Sequence, residues 1–216
     1  MTRPVSLTAE GVTFGYSPSE PLLQGWSAQF EPGSMTAITG PSGRGKSTLL
    51  YLLGLMLCPS SGEIRIGGVS TTDMHDSQRS RMRAQTFGFV FQDAALDSTR
   101  TILDNVTESA LYRGEPRRAV TKHAQRLLEN FGVDIPADRK PGQVSGGQAQ
   151  RISLCRALLS SPAVLLADEP TGNLDPATSA LVINSLYSHA KDKGATVVIV
   201  THSPEVAALC DREVRL

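Results

Sequence analysis

The octapeptide Gly40-Pro41-Ser42-Gly43-Arg44-Gly45-Lys46-Ser47 fits the pattern GxxxxGK[ST]. In that pattern backbone N–H groups curl around phosphate oxygens at a helix N-terminus, and the glycines let the backbone come close. Lys46 then offers a point charge to the β- and γ-phosphates of a nucleotide, Ser47 offers its hydroxyl to Mg²⁺, and Thr48 continues the first helical turn. An incidental glycine loop is the plain alternative. Against it, the motif lies between an apolar run, Met35 to Thr39, and a leucine-rich stretch, Lys46 to Leu57, the strand–loop–helix setting that the chemistry requires.

A second pair of groups follows from the first. Ala163 to Ala167 is an apolar strand ending in Asp168-Glu169. A carboxylate at the carboxyl end of such a strand, beside a phosphate loop, is placed to hold Mg²⁺, and Asp168 has that position. Glu169 is then placed to polarise a water attacking the γ-phosphate as a general base. Alone, two adjacent acids read equally well as a solvated turn. Ser145-Gly146-Gly147-Gln148 opens another helical pattern, so Ser145 is a candidate N-cap. Two bare glycines are costly for a cap alone, and a second helix N-terminus with open donors is a second anion site. One nucleotide does not need two.

The elements that must position these groups are legible from periodicity. Val12, Phe14 and Tyr16 alternate with small or polar residues, as do Trp26, Ala28 and Phe30, which predicts an antiparallel opening. Pro176 to Ala190 reads as helix and Ala195 to Val200 as a strand. Continuous rather than alternating apolarity suits parallel strands covered on both faces. Ile102 to Tyr112, Arg117 to Phe131 and Gln148 to Leu159 have helical spacing, broken at Gly114-Glu115-Pro116 and Pro141-Gly142. The expected fold is α/β: a mostly parallel core with an N-terminal antiparallel β subdomain, about 1–92 and 160–216, and an inserted helical subdomain, about 93–159.

Composition bounds the rest. The chain has 216 residues, with 21 Lys and Arg balanced by 21 Asp and Glu, which argues against affinity for nucleic acid through a bulk positive field. Arg79, Arg81 and Arg83 read as a solvated loop, with a membrane-proximal or nucleic-acid role as the alternative; no aromatic interleaves with them to stack bases. Met1 to Gly11 lacks the apolar core of a signal peptide, and Leu49 to Cys58 is about half of the roughly 20 residues that a spanning helix requires. Length leaves no room for an appended regulatory domain. Cys58, Cys155 and Cys210 have no CxxC spacing and read as reduced, buried thiols of a cytosolic protein.

With Val144-Ser145-Gly146-Gly147-Gln148 beside the phosphate loop, the sequence resembles the ATP-binding subunits of ATP-binding-cassette (ABC) transporters, whose signature is LSGGQ. The resemblance spans nearly the whole chain. It implies MgATP as cofactor and a head-to-tail ATP-sandwich dimer, in which Ser145, Gly147 and Gln148 of one copy close over the γ-phosphate held by Lys46 of the other. By the family's order it implies further that Tyr16 stacks on adenine, although Tyr16 also continues the Val12/Phe14 core face. Gln92 of Phe91-Gln92-Asp93 becomes a metal and nucleotide ligand, and Asp175 of Gly172-Asn173-Leu174-Asp175 contacts the partner copy. His202 of Val200-Thr201-His202 hydrogen-bonds the γ-phosphate.

Asp168 to Asp175 and Gly88 to Gln92 are similar to the branch of LolD-, MacB- and FtsE-type ATPases, which implies an integral-membrane permease as partner, a place at the inner face of the membrane, and no nucleic acid. A regulatory ATPase that gates its partner without transport is the alternative; a soluble, non-transport ABC ATPase is the third reading. Asp93 to Arg100 departs from the branch pattern by lacking its usual Leu-Pro pair, and Ala149 departs from the usual glutamine or lysine.

Overall fold

The computed structural model describes residues 4–17, 20–136, 138–172 and 174–216. Strands β1 (Leu7–Phe14) and β2 (Leu23–Phe30) pair antiparallel, as the alternating pattern predicts, and with β4 (Ser61–Ile66) and β5 (Val69–Ser70) they form a sheet of order β2-β1-β4-β5. A second, wholly parallel sheet runs β6-β7-β8-β3-β9, from β6 (Phe87–Val90), β7 (Val164–Asp168), β8 (Thr196–Val200), β3 (Met35–Thr39) and β9 (Arg212–Arg215).

The continuous apolar runs of the parallel strands follow from burial on both faces. Leu165 and Ala167 of β7, with Val197 and Ile199 of β8, pack into a core shared with α3 (Ile102–Tyr112), α4 (Arg117–Asn130), α5 (Gly146–Leu158) and α6 (Pro176–Lys193). Their neighbours Val164, Leu166, Val198 and Val200 face the opposite way, into a core shared with α1 (Lys46–Leu53) and the antiparallel sheet. Period-2 alternation thus divides one run of apolar residues between two cores.

Several boundaries differ from the expectation. Helix α1 stops at Leu53 rather than Leu57, and a Cβ on its C-cap Gly54 would lie 2.4 Å from the Phe89 ring, so the helix end lies directly against β6 and leaves room only for glycine. The Arg79/Arg81/Arg83 group is on a helix, α2 (Asp76–Thr86), rather than a loop, with no buried residue; Arg83 donates to the Leu55 carbonyl at 2.6 Å. Cys155 is buried and Cys210 partly so, but Cys58 is exposed, its sulfur 2.6 Å from Arg79 Nη1. Tyr16 lies beyond the end of β1 and is exposed, so it does not continue the core face.

His189 of α6 is buried with Nε2 2.8 Å from the Pro162 carbonyl, and burial lowers its pKa below the ordinary 6.5, the carbonyl opposing and Lys193 assisting. Its neutral form is favoured by folding. Between its lowered native pKa and 6.5 the unfolded chain therefore binds more protons, so stability falls as pH drops through that window. Urea midpoints measured from pH 7 to 5 are expected to decline, and His189→Gln is expected to flatten that decline; an equally steep fall in the variant would exclude His189 as its source.

Candidate nucleotide site

The four parallel strands β6, β7, β8 and β3 end in register, with Val90 opposite Ala167, Asp168 opposite Val200, and Ile38 opposite Val200. Their carboxyl ends therefore bring four sequence-distant segments to one edge: Gly40–Thr48, Phe91-Gln92, Asp168-Glu169 and Thr201-His202. This is the edge where open parallel sheets bind ligands.

At the phosphate loop, Gly45 is the N-cap of α1 with φ +85°, a left-handed conformation, and a Cβ there would come within 2.7 Å of the Leu22 side chain. Among the described residues no side chain caps this helix and no acid occupies its first turn, which leaves its first amides open in the way an anion site requires. The Lys46 ammonium folds back to the carbonyls of Gly40 and Pro41, at 2.9 Å each, and so is held at the loop. Pro41, Ser42, Gly43 and Arg44, the tip of the loop, are exposed. Tyr16, edge-on to Phe14 at 5.1 Å, has its hydroxyl 3.3 Å from Thr48 Oγ1, which brings its exposed ring alongside the first turn of α1.

Asp168 is buried at the end of β7, and its Oδ1 has no hydrogen-bond partner among the described residues. Burial pushes its pKa above the usual carboxylate range; the Ser47 hydroxyl, hydrogen-bonded to it, and Lys46 oppose this, while Glu169 adds to it. An orphaned buried carboxylate oxygen beside a hydroxyl is an oxygen donor set that fits Mg²⁺ completed by nucleotide phosphates and water.

Glu169, unusually for a non-glycine, has φ +46°, at a cost of about 1–2 kcal/mol. Its backbone N–H donates to the Val200 carbonyl at 2.9 Å, tying the turn to the end of β8. Its carboxylate is held by two neighbours: His202 Nδ1 at 2.7 Å from Oε1 and Thr201 Oγ1 at 3.3 Å from Oε2. Since a carboxylate only accepts, Nδ1 carries the proton in this pair. Thr201 was missed as a site residue in the sequence, where a buried threonine at a strand end gives no signal of its own.

Gln92 is exposed just past β6. The chain on either side of it is held by α5: Gln150 Nε2 donates to the Phe91 carbonyl at 3.1 Å, and the Arg156 guanidinium donates to the carbonyls of Ala94 and Ala95 at 2.8 and 2.7 Å. Ala94 and Ala95 are both left-handed, with φ +62° and +45°. Neither grip is legible from local pattern, because both cross about sixty residues of chain.

Ser145 is the N-cap of α5: Oγ accepts from the Gln148 N–H at 3.2 Å while Gln148 Oε1 accepts from the Ser145 N–H at 2.9 Å. The helix begins at Gly146, two residues before the expected Gln148. A Cβ on Gly146 would meet nothing within 4 Å, so the packing of this chain does not require glycine there. α5 lies against the sheet-edge strand β6, whereas the phosphate loop follows β3, three strand spacings or about 14 Å across the sheet. Asp175 caps α6, accepting from Thr178 N–H at 3.0 Å and Thr178 Oγ1 at 2.6 Å, bonds that lower its pKa. Asn173, beside it, lies outside the described residues.

Fold and site together define a P-loop nucleotide-binding cassette, with an antiparallel sheet and a helical segment packed on one parallel core. Residues 23–172 match the family description "ABC transporter". The chain is 43% identical over 195 residues to the lipoprotein-releasing system ATP-binding protein LolD of Myxococcus xanthus, covering 90% of this chain and 87% of that one. It is 39% identical over 214 residues to LolD of Cereibacter sphaeroides, covering 97% and 96%. Among solved structures it is similar to the dimeric bacterial ABC transporter cassette MJ0796, with TM-score 0.90, 33% identity and 97% and 94% of the two chains covered. A post-hydrolysis dimer of MJ0796 bound to ADP and Pi superposes with TM-score 0.88, again at 33% identity and with the same coverage.

The chain belongs to the ABC transporter family, as an ATP-binding, ATP-hydrolysing subunit of the LolD/MacB/FtsE type. No helix among the described residues is long and apolar enough to cross a membrane.

Proposed function

We propose that this chain binds MgATP between two copies of itself arranged head to tail and uses its hydrolysis to move an integral-membrane permease, with lipoprotein release as the cargo class suggested by its LolD relatives. The observation that carries the dimer is Gly146: at the first position of α5 a Cβ would meet nothing within 4 Å among the described residues, so this copy supplies no packing reason for glycine there. Ser145, Gly147 and Gln148 of one copy then close on the γ-phosphate bound by Lys46 of the other, and Asp175 contacts the partner near the phosphate loop. The helical segment 93–159, which carries this signature, acts as a subdomain on the α/β core of 1–92 and 160–216.

Within the site, the amides of Gly40–Thr48 and the Lys46 ammonium cradle the phosphates, and Tyr16 offers its ring to the adenine. Ser47, Asp168 and Gln92 would hold Mg²⁺, which would supply charge neutralisation to the nucleotide phosphates. Glu169 takes the proton of the attacking water. His202 already donates from Nδ1 to Glu169, so donating from Nε2 to the γ-phosphate as well requires the imidazolium form.

For the membrane partner, the supporting feature is a cleft of about 650 Å³ between α2, β6, α3 and α5. Its floor includes Phe87, Phe89 and Phe91, Met56 and Tyr112 stand exposed at it, and Ala95 of the Asp93–Arg100 segment lines it. We place the chain at the inner face of the membrane through this contact, with no role for nucleic acid. Affinity purification from detergent-solubilised membranes of the native source is expected to bring down an integral-membrane chain, and charge reversal at Arg81 on the cleft wall is expected to reduce its yield several-fold. Recovery of soluble or ribosomal partners alone would overturn the transporter reading.

A further inference from the structure

We propose that Gln150 and Arg156 are positioning residues for Gln92, holding the backbone on either side of it against α5. The proposal rests on the reading of Gln92 as a group that meets the metal and γ-phosphate.

Two grips bracket Gln92. On its N-terminal side the buried Gln150 amide donates to the Phe91 carbonyl at 3.1 Å. On its C-terminal side the Arg156 fork, its side chain 12% exposed, takes the carbonyls of Ala94 and Ala95 at 2.8 and 2.7 Å, with Ser153 Oγ at 3.2 Å and Glu108 Oε2 at 4.0 Å completing its surroundings. Two successive left-handed alanines are unfavourable in isolation, but this is the geometry that presents both carbonyls to one planar donor. The dependence is mutual: without those carbonyls, a largely buried guanidinium would lose most of its partners.

Farther along, the fully buried Asn105 side chain of α3 accepts from the Asp97 N–H at 2.7 Å and donates to the Asp97 carbonyl at 3.0 Å, which fixes the far end of the segment. Between the grips lie only Gln92 and Asp93, both exposed. The position of the Gln92 backbone is therefore set by the two α5 side chains that hold Phe91, Ala94 and Ala95. Arg156 and Ala95 also line the cleft between α2 and α3, so one guanidinium touches the cleft, the Gln92 segment and the signature helix.

The test is Mg²⁺ dependence of ATP hydrolysis in Gln150→Glu, Arg156→Lys, Gln92→Ala and the double variants with Gln92→Ala. Gln150→Glu replaces the amide donor with a carboxylate of the same shape, and Arg156→Lys keeps the charge but loses the fork. Each is expected to raise the Mg²⁺ concentration for half-maximal hydrolysis about tenfold, as losing an outer-shell support does, with ATP binding in EDTA unchanged. Added to Gln92→Ala, neither is expected to raise it further, because both act through Gln92.

An unmoved Mg²⁺ half-saturation in a variant of wild-type thermal stability overturns the proposal, and so does an additive effect in the double variants. If Gln92→Ala alone leaves Mg²⁺ dependence unmoved, the metal reading of Gln92 fails. The lock is then judged by amide hydrogen exchange across 91–97, expected to quicken about tenfold in Arg156→Lys. Exchange at the wild-type rate would remove the lock itself.

Discussion

Replacing Glu169 with glutamine is expected to lower kcat by about 10²–10⁴-fold, the usual worth of a positioned general base, while leaving ATP binding intact. Glutamine keeps the volume and one acceptor oxygen for His202 Nδ1 or Thr201 Oγ1, so the turn at φ +46° has the same neighbours. What it loses is the ability to take a proton. With hydrolysis stopped and ATP bound, the closed pair of copies should persist, and the variant is expected to elute from a sizing column as a dimer in MgATP and as a monomer without it. Undiminished hydrolysis would remove Glu169 from the role of base. Lost hydrolysis with no ATP-dependent dimer would instead tell against the head-to-tail arrangement.

Lys46→Ala is expected to act earlier in the cycle. Its ammonium lies against the Gly40 and Pro41 carbonyls, at the mouth of the loop, so the charge is held where a phosphate in the loop would meet it. Hydrogen bonds to charged groups contribute about 1.5–3 kcal/mol, which corresponds to about 10–100-fold in nucleotide Kd. Removing a preorganised cation from the transferring phosphoryl group costs about a further 10²–10³ in kcat. Titration with a fluorescent ATP analogue checks the first, and steady-state hydrolysis at saturating ATP checks the second. Wild-type affinity in the variant would mean that the loop amides alone hold the phosphates. The variant should remain folded, because Lys46 is only half-buried and α1 is anchored by Leu49, Leu50, Leu52 and Leu53.

Much of the candidate site was legible in the order of residues because it is local. A phosphate loop consists of consecutive backbone amides plus one lysine and one hydroxyl, so Gly40–Ser47 carries nearly all of its own geometry within eight residues. Strands β3, β7 and β8 were readable for a related reason: burial on both faces leaves an unbroken apolar run, and the run ends where the strand ends. Helices α3 and α4 were placed to within a residue by their breakers.

What tertiary structure alone decided is every relation that crosses the sheet. Tyr16 continues the alternation of Val12 and Phe14 in sequence, yet β1 ends at Phe14 and the ring stands out at the first turn of α1. The clasp of Glu169 by Thr201 and His202 depends on β7 and β8 being neighbours in register, across more than thirty residues of chain. The grips of Gln150 and Arg156 on the Gln92 segment arise because α5 packs beside β6, which brings bare carbonyls of left-handed residues to a buried guanidinium. Local pattern sets which groups a segment offers, since period and spacing follow from one stretch of backbone. Which of those groups meet is set by how the two cores pack, and a carbonyl or a caged carboxylate acquires its partner only when the strands have been brought side by side.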